Sequence, residues 1–235
     1  MKKFNQKILT GTFTFFIVLL LSISIILANN VKNEDKEIDE EKIYYQIKYI
    51  DNEIIYMSNF LNINETQIDW KQLQENINNL YNYWNSAILD FNNLNVEKMH
   101  LTDFGKKLDN LALSIKYKNK KDSLINLIEI YKKIIIYLDN LNYENYKSVL
   151  ITKYNLLLAS SILETENWTL IHEYILRASD NLYKVFNKID INLYEQYNIN
   201  QAYVAVKEME NLISIKDIDV FYIKCKIALD KLEIL

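Results

Sequence analysis

VLITKYNLLLASSILETENWTLIHEYILRASDNLYKVF, running from Val149 to Phe186, decides the fold. Before the tryptophan at its middle, Tyr154, Leu158, Ala159 and Ile162 fall at helical spacings and share one face. From Trp168 onward, Ile171, Ile175, Ala178, Leu182, Val185 and Ile189 alternate steps of three and four without a break. Each segment therefore has an apolar stripe to hide. The link between them, Glu164 to Asn167, is short and polar, and Thr165 is placed to accept a hydrogen bond from the free amides of the second helix as its N-cap. Two amphipathic helices folded back on each other, stripe to stripe, satisfy all of this.

Ala159 midway in the first helix, Trp168 opening the second and Ala178 near its close resemble a tetratricopeptide hairpin. The likeness covers about one repeat length. It departs at Ile171, where that family prefers alanine, and in lacking a terminal proline. What it implies is a helical-repeat architecture that presents surfaces to other proteins.

Composition extends the helical expectation to the whole chain. There is no proline among the 235 residues and only two glycines, Gly11 and Gly105, so the punctuation that strands and tight turns need is almost absent. The abundance of Ile, Asn, Lys and Tyr reflects base composition rather than a binding surface. With one cysteine, Cys225, no internal disulfide forms; it shares a stripe with Tyr222, Leu229 and Leu232 and reads as a small core residue.

At the N-terminus, Lys2, Lys3 and Lys7 precede an apolar run from Ile8 to Ala28. Its length, at about 1.5 Å per residue, matches a hydrocarbon core of roughly 30 Å. Without those three lysines, 24 basic residues stand against 31 acidic ones, a net charge of −7. The expected topology is a cytoplasmic N-terminus, a membrane span through residues 8–28 and an acidic body outside. The alternative is a cleaved signal peptide and a secreted body, although Ile26 is a poor match two residues before a cut at Ala28. No cysteine closes the run, which excludes a lipoprotein. Residues 29–41, with carboxylates at Asp35, Glu37, Asp39, Glu40 and Glu41, read as a solvated polar linker.

The first soluble helix is expected near Lys42. Ile43, Ile47, Ile50, Ile54, Met57 and Leu61 form one stripe, and Tyr45, Tyr49, Tyr56 and Phe60 a second beside it. The next helix, capped by Thr66, carries Trp70, Leu73, Ile77, Leu80, Trp84, Ala87 and Phe91. Leu101, Phe104, Leu108, Leu111 and Ile115 mark a third; Leu124, Leu127, Tyr131 and Ile134 a fourth. Adding 98 to the positions in these last three helices lands on Trp168, Ile171, Ile175, Ala178, Leu182, Val185 and Ile189, then Ile199, Ala202, Val206, Met209 and Ile213, then Tyr222, Cys225, Leu229 and Leu232. All are apolar, and the same shift carries Asn119 onto Asp217, two good N-caps. One gapless offset across three helices points to duplication. The expected fold is all-α: an anchor or signal peptide over residues 1–28, a linker over 29–41, and two tandem four-helix units over 42–139 and 143–235, stacked as a bundle or a helical-repeat array.

The N-terminal lysines and apolar segment, Asp69 and Trp70 opening a helix, Trp84 two heptads on, and the helix of Leu108, Leu111 and Ile115 resemble an uncharacterised family of short membrane-anchored helical proteins from low-GC spore-forming bacteria. This likeness covers about half of the chain and implies location and architecture alone.

Catalytic motifs are missing. His100 and His172 have no second ligand at the spacing of a metal motif, and no glycine-rich loop exists to cradle phosphate. No catalytic residue, metal ligand or cofactor is expected, and the acidic balance argues against nucleic acid as a partner. The function expected is an extracytoplasmic scaffold that binds a protein or a cell-envelope component, with Tyr45, Tyr49, Tyr56 and Phe60 as the partner-binding aromatic face. The alternative is a ligand-sensing or regulatory part of an envelope or sporulation system, with an envelope enzyme third. A sensor should have a roomy, mixed polar pocket between helices, and a scaffold an exposed apolar groove.

Overall fold

The computed structural model describes residues 39–63, 65–94, 96–187 and 192–233. The anchor expected at residues 8–28, most of the linker, and Ile189 lie outside them. Among the described residues no helix is long and apolar enough to cross a membrane. The described chain is all-α. Eight helices follow one another: α1 (Glu40–Leu61), α2 (Trp70–Asn92), α3 (Lys98–Lys116), α4 (Lys120–Leu138), α5 (Glu144–Ser161), α6 (Trp168–Phe186), α7 (Leu193–Ile215) and α8 (Ile218–Leu232).

Neighbours in sequence are neighbours in space, as short connections require. In the first half α1 packs on α2, α2 on α3, α3 on α4, and α4 returns to α1; in the second, α5, α6, α7 and α8 close in the same cyclic order. The stripes explain the packing. Leu73, Ile77, Leu80, Trp84, Ala87 and Phe91 of α2 are buried, as are Ile171, Ile175, Ala178, Leu182 and Val185 of α6. Trp84 stacks on Phe104 at 4.0 Å between ring centres and lies beside Phe91 and Tyr137.

The halves join along α1, α4 and α5. Tyr44 stacks on Tyr143 at 4.5 Å at one end of α1 and α5, Asp51 meets Lys153 at 2.7 Å midway, and Asn62 Nδ2 donates to Ser160 Oγ at 3.4 Å at the other end. The two helices therefore run side by side in the same direction. Between them, α4 sends Tyr131 to Asp51 and lays its ring parallel to that of Tyr154.

The 98-residue shift carries the first residue of α2 onto that of α6, and the first of α4 onto that of α8. It also relates two strained turns, since Lys118 (φ 56°) and Lys216 (φ 60°) both take the left-handed conformation after a helix. Asn119 and Asp217 cap the helices that follow, accepting from Asp122 N and Val220 N.

Four local expectations need correction. Asn167, not Thr165, caps α6 through a bond from Leu170 N, while Thr165 donates to the Ile162 carbonyl within a 3₁₀ turn. Asp69, not Thr66, caps α2, accepting from Gln72 N at 3.0 Å. In both cases the side chain next to the first helical residue has the shorter reach to the orphan amides. The linker ends earlier than expected: Asp39 caps α1, and Glu40 and Glu41 form its first turn, where carboxylates complement the helix dipole. Finally, α5 does not bury a single stripe. Tyr154, Leu158 and Ile162 are only half-buried, whereas Val149, Leu150, Thr152, Lys153, Asn155, Leu156 and Leu157 are covered. Because α4, α6 and α8 all pack on it, the helix is enclosed on several sides.

Candidate functional site

An ion pair lies in the core where the halves meet. Asp51 of α1 and Lys153 of α5 are essentially inaccessible, with side-chain exposures of 1% each. Lys153 Nζ donates to Asp51 Oδ2 at 2.7 Å, Tyr131 OH donates to Oδ1 at 2.7 Å, and Tyr146 OH donates to Oδ2 at 3.1 Å. Three donors on one carboxylate offset much of the desolvation that burial imposes. Burial, reinforced by the Asp51 charge, pushes the Tyr131 and Tyr146 phenols well above their ordinary range, so both remain donors. The cluster ties α1, α4 and α5 together through side chains at one level of the core.

Tyr146 also connects this cluster to the surface. It lines an open cleft of about 440 Å³ together with Tyr44 of α1, Asn142 to Asn145 at the start of α5, Val149 one turn further on, Val185 of α6, and Glu195 and Ile199 of α7. Tyr44 stacks on Tyr143 and meets Tyr146 edge-on at 4.9 Å, so the three phenols form one continuous wall. Burial raises the Tyr44 phenol, and the charges of Glu195 and Asp51 add to it; Tyr143 is raised by burial together with Glu40, Glu41 and Asp39. Among the described residues no lysine or arginine lines the cleft. Lys147, one turn into α5, is turned to Asp139 at 2.6 Å, and Lys42 of α1 to Asp90. Glu195 Oε2 accepts from Asn192 N at 3.4 Å in the capping box of α7, and the residue lines the cleft.

The four residues of the expected aromatic face do not behave alike. Tyr45 and Tyr56 are 58% and 46% exposed. Tyr49 is half-buried, stacked on Tyr83 of α2 at 3.9 Å, and Phe60 is half-buried against Tyr56 at 4.9 Å. Cys225 is covered and its thiol pushed up to about 12 by burial, with Sγ 3.7 Å from the Leu156 carbonyl oxygen. His100 and His172 are half-buried on α3 and α6, and Tyr137 OH donates to the backbone carbonyl of His100 at 3.3 Å. Among the described residues no group of three or more His, Cys, Asp or Glu is arranged to hold a metal ion.

Sequence reasoning passed over Asp51, Lys153 and the tyrosine cleft. One signal was available: Lys153 interrupts an apolar run, and the 98-residue shift carries it from Ile55. The cleft has no such signal, because its walls come from four helices. No family model matches the chain, and neither a curated protein nor a solved structure is significantly similar to it.

Proposed function

We propose that this chain is a ligand-binding helical body of the cell envelope, held outside the membrane by residues 8–28 and acting as a sensing or regulatory part through the cleft between α1, α5 and α7. The observation that carries this reading is the mixed lining of the cleft, in which three tyrosines, two carboxylates, Val185 and Ile199 converge on one space of about 440 Å³. Ligand sites of this kind are concave, of roughly 300 to 1,000 Å³, and combine apolar walls with a few polar groups. Residues 42–139 and 143–235 are further proposed to be two copies of one four-helix unit, a reading supported by the coincident starts of α2 and α6 and of α4 and α8 and by the paired turns at Lys118 and Lys216.

The test is thermal stability of the full-length chain in detergent against a panel of small cations, anions and neutral compounds. Stabilisation by at least one class, lost on plugging the cleft with Asn145→Trp, is expected; indifference to every compound would remove the reading. A scaffold role is favoured separately by the exposure of Tyr45 and Tyr56. For that role, Tyr45→Ala with Tyr56→Ala should abolish capture of a partner from native membranes while leaving the fold intact. The proposed topology is checked by adding protease to intact protoplasts, where digestion after Asn29 is expected.

A further inference from the structure

We infer that the ligand of the cleft is a small organic cation of the alkylammonium class, its charged head held against Tyr44, Tyr143 and Tyr146 and balanced by Glu144 and Glu195. The inference rests on the cleft being a ligand site. Aromatic faces carry negative electrostatic potential and attract cations, most strongly those that are weakly hydrated, such as quaternary ammonium groups. Tyr44 and Tyr143, stacked at 4.5 Å, each keep one outer face, and Tyr146 meets Tyr44 edge-on at 4.9 Å; all three line the cleft.

The charge balance points the same way. Glu144 and Glu195 line the space, Asp39, Glu40 and Glu41 lie close enough to perturb the Tyr143 phenol, and among the described residues no basic side chain lines the cleft. Nearby Lys42 and Lys147 are engaged by Asp90 and Asp139. The opposing influence is the start of α5, whose cap residue Tyr143 makes no side-chain bond to the first amides. A helix N-terminus is equivalent to roughly half a positive charge, which the two lining carboxylates outweigh. Asn142 and Asn145 add polar groups to the lining, while Val149, Val185 and Ile199 are apolar and suit the alkyl part of such a molecule.

The experiment is calorimetric titration of the full-length chain in detergent with choline, with the neutral carbon isostere of choline in which a tert-butyl group replaces trimethylammonium, and with acetate. Choline is expected to saturate one site and to bind at least about tenfold more tightly than the isostere, since shape is conserved and only charge differs. Glu195→Gln keeps the capping box, because glutamine serves there too, and should weaken choline roughly threefold or more. Tyr143→Ala should weaken it about tenfold, while Tyr143→Phe, which retains the ring, should stay within about twofold of the unaltered chain. Far-UV circular dichroism establishes that each variant is folded. Equal affinity for choline and its isostere, tighter binding of acetate, or an unchanged affinity in folded Tyr143→Ala would overturn the inference. Should choline fail while a neutral or anionic compound of the panel stabilises the chain and loses its effect in Asn145→Trp, the cation is wrong and the ligand site stands; if nothing binds in either experiment, both fall.

Discussion

Replacing Lys153 by methionine isolates the energetics of the buried pair, because methionine keeps the length of the apolar stem and removes the charge. Asp51 would then retain Tyr131 and Tyr146 as donors but lose its countercharge in a site where its side chain is 1% exposed. Breaking one partner of a buried pair costs about 3–5 kcal/mol. Against a total stability of roughly 5–15 kcal/mol, that is a large share. The 98-residue shift suggests how to repair it. Asp51 maps onto Val149 and Lys153 onto Ile55, and both counterparts are buried. Asp51→Val with Lys153→Ile should therefore fit sterically but leave two phenols unpaired, at about 1–3 kcal/mol each. Adding Tyr131→Phe and Tyr146→Phe removes those hydroxyls and should bring stability back to within about 1 kcal/mol of the unaltered chain. Urea denaturation of the full-length chain in detergent, followed by tryptophan fluorescence and circular dichroism, measures each step. A Lys153→Met cost below about 1 kcal/mol, or a fourfold variant no more stable than Lys153→Met, would refute the reasoning.

Alkali should destabilise the chain. Tyr131 and Tyr146 keep protons in the folded state that the unfolded chain loses above about pH 10, so their contribution is intact below that pH and lost as pH rises towards the folded values; ultraviolet absorbance should show their ionisation coinciding with unfolding. Cys225 follows the same sign, its stability contribution declining between about 9 and about 12, and at pH 8 its thiol should react with a disulfide reagent only after denaturant is added. Asn167→Ala should cost about 1 kcal/mol by thermal melting and Thr165→Ala clearly less, in keeping with which side chain receives the Leu170 amide. Lys118→Gly and Lys216→Gly should each raise stability by up to about 1 kcal/mol, since both positions hold a side chain in the left-handed region.

Helix existence and the core stripes were readable from the sequence because a helix that buries one face repeats its apolar residues at steps of three and four. The stripe from Trp168 to Val185 is buried throughout, and so is the one from Ile43 to Leu61 on α1. Periodicity failed at α5, where three neighbouring helices cover the surface and polar residues such as Thr152, Lys153 and Asn155 are enclosed with the apolar ones. Cap identity was misjudged by two or three residues, since several polar side chains precede α2 and α6 and only geometry selects among them. The aromatic stripe of α1 was visible as a pattern, but Tyr83 of α2, which covers Tyr49, was not foreseeable from α1 alone. The cleft escaped notice for a related reason. Tyr44, Tyr143 and Tyr146 are ordinary members of a tyrosine-rich chain until α1 and α5 are brought alongside each other.

With Cys225 covered and its thiol held protonated, a thiol introduced at the cleft becomes uniquely addressable. The alkylation rate of Asn145→Cys, with and without the small-molecule fraction of a lysate of the producing cells, asks whether that space is a ligand site, and Leu89→Cys, at a position on α2 where the leucine is 74% exposed, provides the remote control. Protection of Asn145→Cys by the extract, saturable on dilution and absent at Leu89→Cys, is the predicted result. Equal rates with and without extract, or equal slowing at both positions, would contradict it.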